Sequence, residues 1–228
     1  MRRTLTMMVM AAMTMALAGT ASAAPVSIPF SGAWTPTAGV TLNQDGAPFW
    51  DRTSMDGANK HVGFQLQTLL GAGYANLEYL TSSTPFEING TGQHVQLKVE
   101  VAGQKNTNQL LYNNGGTDHL IFNGPAGAGS AFAGTIPGPF SFVFYSNGSP
   151  ANRYATNDTN TSNQFVLFHE SGTQQYYLGI EDLRLPGGDR DYNDMIVAFE
   201  LQAVPEPGTL VLLGLGLLVV GARLRRKE

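Results

Sequence analysis

The chain has no cysteine, so no disulfide holds it together. Helix-period patterning is scarce too: the best stretch, Phe64 to Leu70 in "VGFQLQTLLG", alternates equally well like a strand. Charge is sparse, at 13% of residues, and six of the thirteen basic residues lie at the extreme termini. Between Ala24 and Val204, seven Lys or Arg face fifteen Asp or Glu, a net charge near −8 that disfavours nucleic-acid binding. The four histidines, His61, His94, His119 and His169, have no ligand spacing and are expected at surface or strand positions. His169-Glu170 lies near Ser171 but lacks a strained nucleophile turn, and no phosphate loop or cofactor fingerprint is present. These absences argue against an enzyme, although separated carboxylates able to cleave a glycoside stay open.

Long apolar runs are missing from the body and concentrated at the two ends. Arg2 and Arg3 precede an apolar run of about eleven residues and the triplet Ala21-Ser22-Ala23, the pattern of a secretory leader cut between Ala23 and Ala24. That run is well short of the roughly 20 residues of a spanning helix. At the other end, Thr209 to Ala222 is almost wholly apolar and is followed by Arg223, Arg225, Arg226 and Lys227, which the positive-inside rule keeps cytoplasmic. Pro205 and Pro207 forbid regular helix just before it and keep the backbone extended.

Val204-Pro205-Glu206-Pro207, the apolar segment and the arginine-rich end together resemble a PEP-CTERM sorting signal over residues 204–228. The resemblance implies Sec-type export, transient retention in the inner membrane of a Gram-negative bacterium, and cutting near the motif by exosortase. Such bacteria also make extracellular polysaccharide, a further expected partner.

Between the ends, roughly 180 residues suffice for one domain with a real core. An exported domain without disulfides needs a large core, a bound metal, or both. In "HVQLKVEVAG", Val95, Leu97, Val99 and Val101 alternate with Gln96, Lys98 and Glu100, which predicts one buried face and one wet face. "FSFVFYS", "QFVLFHE", "QYYLGIEDL" and "DMIVAFELQAV" continue the strand pattern, and clusters such as "NNGGTD" and "SNGSP" read as turns. The expected fold is all-β, a β-sandwich or jelly-roll-like domain, with an N-terminal β region over 24–138 and a C-terminal one over 139–203. "NGPAGAGSAFAGTIPGP", Asn123 to Pro139, reads as a long surface loop within one sandwich.

The densest charge lies in "RLPGGDRDYND". Asp189, Asp191 and Asn193 stand at i, i+2 and i+4, so a curved loop can turn three oxygen donors toward one centre, as calcium requires. Glu200 lies where an EF-hand places its last acid, but Asp194 holds the position that needs glycine, and a strand pattern follows instead of a helix. The better reading is a calcium-binding β-turn that Glu181 and Asp182 face from the end of the preceding strand. In the alternative, Arg184 and Arg190 neutralise the acids, and Asn193 and Asp194 satisfy turn amides.

"FSFVFYSN", "FVLFHE" and "YLGIEDLRLPGGDRDYNDMIVAFE" resemble the family known as domain of unknown function 4114, over about Pro139 to Glu200. That resemblance implies a bacterial secreted or surface protein, brings no established enzymatic activity, and points to calcium at Glu181, Asp182, Asp189, Asp191, Asn193 and Asp194. A second calcium site at Asn43, Asp45, Asp51 and Asp56 is a weaker expectation, while Trp34, Phe49 and Trp50 are expected to pack in the core or against loops. The expected function is a non-enzymatic, calcium-stabilised surface or matrix protein; the alternative is a module or enzyme acting on extracellular polysaccharide.

Overall fold

The computed structural model describes residues 34–55, 57, 59–80, 85–103 and 105–202. The leader with its Ala23/Ala24 junction, Asp56, and the tail from Val204-Pro205-Glu206-Pro207 onward lie outside the described residues. Among those described, no helix is long and apolar enough to cross a membrane.

Strands β1 (Trp34–Pro36), β2 (Leu77–Leu80), β3 (Thr91–Glu100), β8 (Phe165–Glu170), β9 (Gln175–Ile180) and β10 (Met195–Gln202) form one antiparallel sheet in the order β1-β2-β8-β9-β10-β3. A smaller antiparallel sheet, β5-β4-β6-β7, contains β4 (Gln109–Asn114), β5 (Thr117–Phe122), β6 (Ser141–Tyr145) and β7 (Arg153–Ala155). The β4–β5 hairpin turns through Gly115 and Gly116, both at positive φ (60° and 86°), the geometry that two-residue hairpin loops favour. The large sheet draws strands from both sides of residue 138.

Two hydrophobic clusters lie on the two faces of the large sheet. On one face Leu97, Leu167, Leu178, Val197 and Phe199 pack against Leu110, Phe142 and Phe144 of the small sheet. On the other, Val166, Phe168, Tyr177 and Ile196 meet Trp50 and the helix α1, Val62–Leu70, whose Val62 and Leu66 present one stripe. The ambiguous "VGFQLQTLL" is thus a helix. Burial on both faces explains why "FVLF" in β8 is continuously apolar instead of alternating.

Strand β3 departs from the expected alternation. Its pairing with β10 slips at two bulges, one at Lys98 and one around His94, which sits at φ 50°. Leu97 pairs with Val197 and Val99 with Ile196, so Val95 and Leu97 enter the inter-sheet core while Val99 joins the helix side. Glu100, expected in water, turns inward opposite Met195, and both its carboxylate oxygens are shut off from solvent.

The 123–139 stretch is not a detached loop. Ser130, Phe132 and Ile136 hydrogen-bond to Leu97, Val95 and Gly92 at 2.8–2.9 Å, running along the free edge of β3.

His61 corrects the expectation of a surface or strand histidine. It is fully buried at the start of α1, where Nδ1 accepts the Gly63 N–H at 3.1 Å. Nε2 therefore carries the proton and lies 3.0 Å from Asp51 Oδ1. Burial pushes the His61 pKa down, and the Asp51 charge opposes that shift. Asp51 Oδ2 accepts the N–H groups of Asn43 and Gln44, so this acid belongs to a structural network. Asp45 is likewise engaged by the Ala47 N–H and the Asn43 amide. Of the expected second calcium site, Asn43, Asp45 and Asp51 hydrogen-bond within their own loop, and Asp56 lies outside the described residues. Trp50 is buried edge-on to Tyr79 and Phe168, and half-buried Trp34 leans on His169 and Tyr176.

Candidate metal centre

The acidic loop connects β9 to β10 at one end of the large sheet. It folds back on the strand it leaves: Asn193 forms a parallel bridge to Ile180, the last residue of β9. Gly179 permits this approach, because a Cβ there would meet the Tyr192 carbonyl oxygen at 2.8 Å and Val166 at 2.9 Å. Arg190 and Tyr192 adopt left-handed backbone conformations, φ 63° and 54°, which non-glycine residues take at a cost. Tyr192 offsets that cost by plugging into the helix-side core, with its ring edge-on to Phe49 and its hydroxyl donating to the Asn163 carbonyl at 3.0 Å. The loop is thus bent by one buried aromatic side chain set between its acids.

The bend gathers carboxylates. Glu181, Asp191 and Asp194 each offer one oxygen, and these oxygens lie within 4.8 Å of one another. They line a cavity of about 310 Å³ together with Asp182, Leu183, Asp189, Met55 and Gly103. The loop's own backbone holds several of these groups. Glu181 accepts N–H bonds from Leu183 and Arg190, Asp191 Oδ1 from Asn193, and Asp194 Oδ2 from Asp182 at 2.8 Å. Gly188 leaves them room, since a Cβ there would sit 2.5 Å from Glu181 Oε1.

Of the six residues predicted from sequence, three converge and two more line the same cavity. Asp182 has one oxygen accepting from the Asn108 amide, and Asp189 Oδ2 accepts the Met55 N–H at 2.6 Å. Asn193 is fully buried and does not line the cavity; its Nδ2 donates to Ser54 Oγ at 3.0 Å and the Lys60 carbonyl at 2.7 Å, and its Oδ1 has no hydrogen-bond partner among the described residues. Glu200 lies on β10 near His94, away from the cavity, in keeping with the rejected EF-hand.

The electrostatics follow from this crowding. Burial, then the charges of Asp194 and Asp189, push the Glu181 carboxyl up to about 9. Burial, then the charge of Asp182, push Asp194 up to about 8. Glu100 joins the group unannounced by the sequence: burial, then Asp194 and Asp182, raise it to about 8. Only the bulge at Lys98 turns it inward, and nothing in "KVEV" marks that slip. Tyr192 had a visible signal, an aromatic residue flanked by acids in an otherwise polar loop. An all-oxygen set of anionic donors at close range is the chemistry that hard divalent cations satisfy.

Together these features define a strand-rich protein with an acidic pocket at one end of its large sheet. Residues 102–202 match the family model described as Domain of unknown function (DUF4114), and residues 203–227 match the PEP-CTERM protein-sorting motif. The chain thus carries a segment similar to that family and a PEP-CTERM sorting motif, and the motif implies export and sorting by exosortase. Strands β1 to β3 and helix α1 precede the matched domain. No curated protein and no solved structure matches the chain.

Proposed function

We propose that the exported domain is a non-enzymatic surface or extracellular-matrix protein of a Gram-negative bacterium, and that calcium at the β9–β10 loop stabilises it. The observation that carries this reading is the convergence of Glu181, Asp191 and Asp194 within 4.8 Å in a domain without disulfides. Calcium is favoured because the donors are all oxygen and the loop is irregular enough for its flexible coordination. Glu181, Asp191 and Asp194 would hold the ion, with Asp182 and Asp189 at its margin. Its role is linkage: a ligand that binds only the folded state stabilises it by RT ln(1 + [L]/Kd), about 2.7 kcal/mol at a hundredfold excess over Kd.

Chelator should therefore lower the melting temperature of the purified chain, and calcium should restore it. An unchanged melting curve together with no bound metal by elemental analysis overturns the calcium reading. The non-enzymatic reading is checked on the same sample with polysaccharide: release of reducing sugar refutes it. Sorting at the tail is checked by replacing Pro205-Glu206-Pro207 with alanines, which should leave a longer, membrane-retained form.

A further inference from the structure

The i, i+2, i+4 residues of the acidic loop reach away from the carboxylate centre as well as into it. Asp189 Oδ2 accepts the Met55 N–H at 2.6 Å. The Asp191 carbonyl accepts the N–H of Val62, the first residue of α1, at 2.8 Å. The Asn193 amide donates to both Ser54 Oγ and the Lys60 carbonyl. All three residues thus grip one stretch of chain more than 120 positions upstream, and Met55 of that stretch also lines the acidic cavity.

We infer that the stretch carrying Ser54, Met55 and Lys60 is a strap over the acidic loop, and that its docking and divalent-cation binding at Glu181, Asp191 and Asp194 form one linked equilibrium. The inference rests on the calcium reading and adds its regulation: the region ahead of the matched domain controls the site. The physical reason is geometric. The bend sets the oxygens of Glu181, Asp191 and Asp194 within 4.8 Å of one another, and the strap's bonds to Asp189, Asp191 and Asn193 hold it in that shape. Both N–H donors of the buried Asn193 amide go to the strap, one to Ser54 Oγ and one to the Lys60 carbonyl. A cation draws the same carboxylates together, so it favours the bent loop that the strap recognises. Reciprocity then requires the docked strap to raise cation affinity by the factor by which the cation favours docking.

Two measurements on the full chain in detergent test this. Arg52, just ahead of the strap, and Lys60, at its far end, are exposed trypsin sites. Calcium should slow cleavage at both on the order of tenfold relative to chelator, a factor within the usual range of coupling between sites. In calorimetric calcium titrations, Met55→Pro, which removes the N–H that Asp189 accepts, should weaken affinity on the order of fivefold or more. Met55→Ala keeps that N–H and should lose far less affinity than Met55→Pro, which separates the amide from the side chain that lines the cavity. Ser54→Ala, which removes one acceptor of the Asn193 amide, should weaken binding in the same direction, and it serves if the proline variant does not fold. Calcium binding by the parent, with cleavage at Arg52 and Lys60 indifferent to calcium and Ser54→Ala binding normally, overturns the strap and leaves the calcium reading standing. No calcium binding by the parent overturns both.

Discussion

Two acidic regions of this molecule solve the same problem in opposite ways. On the outer face of the small sheet, Asp118 accepts Arg153 Nε at 2.8 Å and Nη2 at 3.0 Å, with Tyr145 Oη and the Asn113 amide as further donors. The Arg153 guanidinium holds its carboxyl down to about 2. In the β9–β10 loop, Asp194 is pushed up to about 8 by burial and then by the charge of Asp182, and Glu181 to about 9. The small sheet brings its own cation in sequence. The neighbouring charges acting on Glu181 and Asp194 are acidic, so their balance comes from a proton or from an ion out of solution.

The largest expected effect separates the forces that hold the two regions. Tyr192 anchors the loop through apolar packing, so Tyr192→Ala should cost about 3–5 kcal/mol in urea unfolding and abolish calcium-dependent stabilisation. Neutral isosteres come next and should act with opposite signs in chelator. Asp194→Asn removes the proton uptake that folding demands of Asp194 at pH 7 and should raise stability on the order of 2 kcal/mol while losing the calcium response. Asp118→Asn removes a paired charge and should lower stability by about 1–2 kcal/mol, with the calcium response intact.

The pH profile sharpens the contrast. The Asp118 pKa lies below its ordinary 3.8, so its contribution is full above that value and is lost as pH falls through about 2. Glu181 and Asp194 lie above their ordinary 4.5 and 3.8, so from there up to about 9 and 8 the folded chain binds more protons than the unfolded one. In chelator, stability should therefore fall as pH rises from 5 to 9, and calcium should flatten that fall; thermal melts across the range read both slopes. The smallest effect is expected of Gly188→Ala, whose Cβ would crowd Glu181 Oε1: about 1 kcal/mol of stability and a several-fold weaker calcium titration.

Much of this architecture was legible in sequence because its signals are local. The core strands β3, β6, β8, β9 and β10 announce themselves by runs of Val, Phe, Tyr and Leu between turn residues. "NNGGTD" marked a turn, yet the flanking "QLLY" and "HLIF" are too short to declare β4 and β5 alone. The convergence of Glu181 with Asp191 and Asp194 followed from strand–loop–strand spacing. What could not be read depends on pairing between distant segments. The inward turn of Glu100 needs the register with β10, the two-sided burial of β8 needs the N-terminal layer, and the grip on Ser54 and Lys60 spans more than 130 positions. Local periodicity carries no information about any of them.

The segment that runs along β3 has a consequence for life outside the cell. A strand margin already zipped to its own chain, through Ser130, Phe132 and Ile136, offers no row of unpaired amides to a neighbouring molecule. On that side, a neighbouring copy cannot extend the large sheet by pairing with β3 itself.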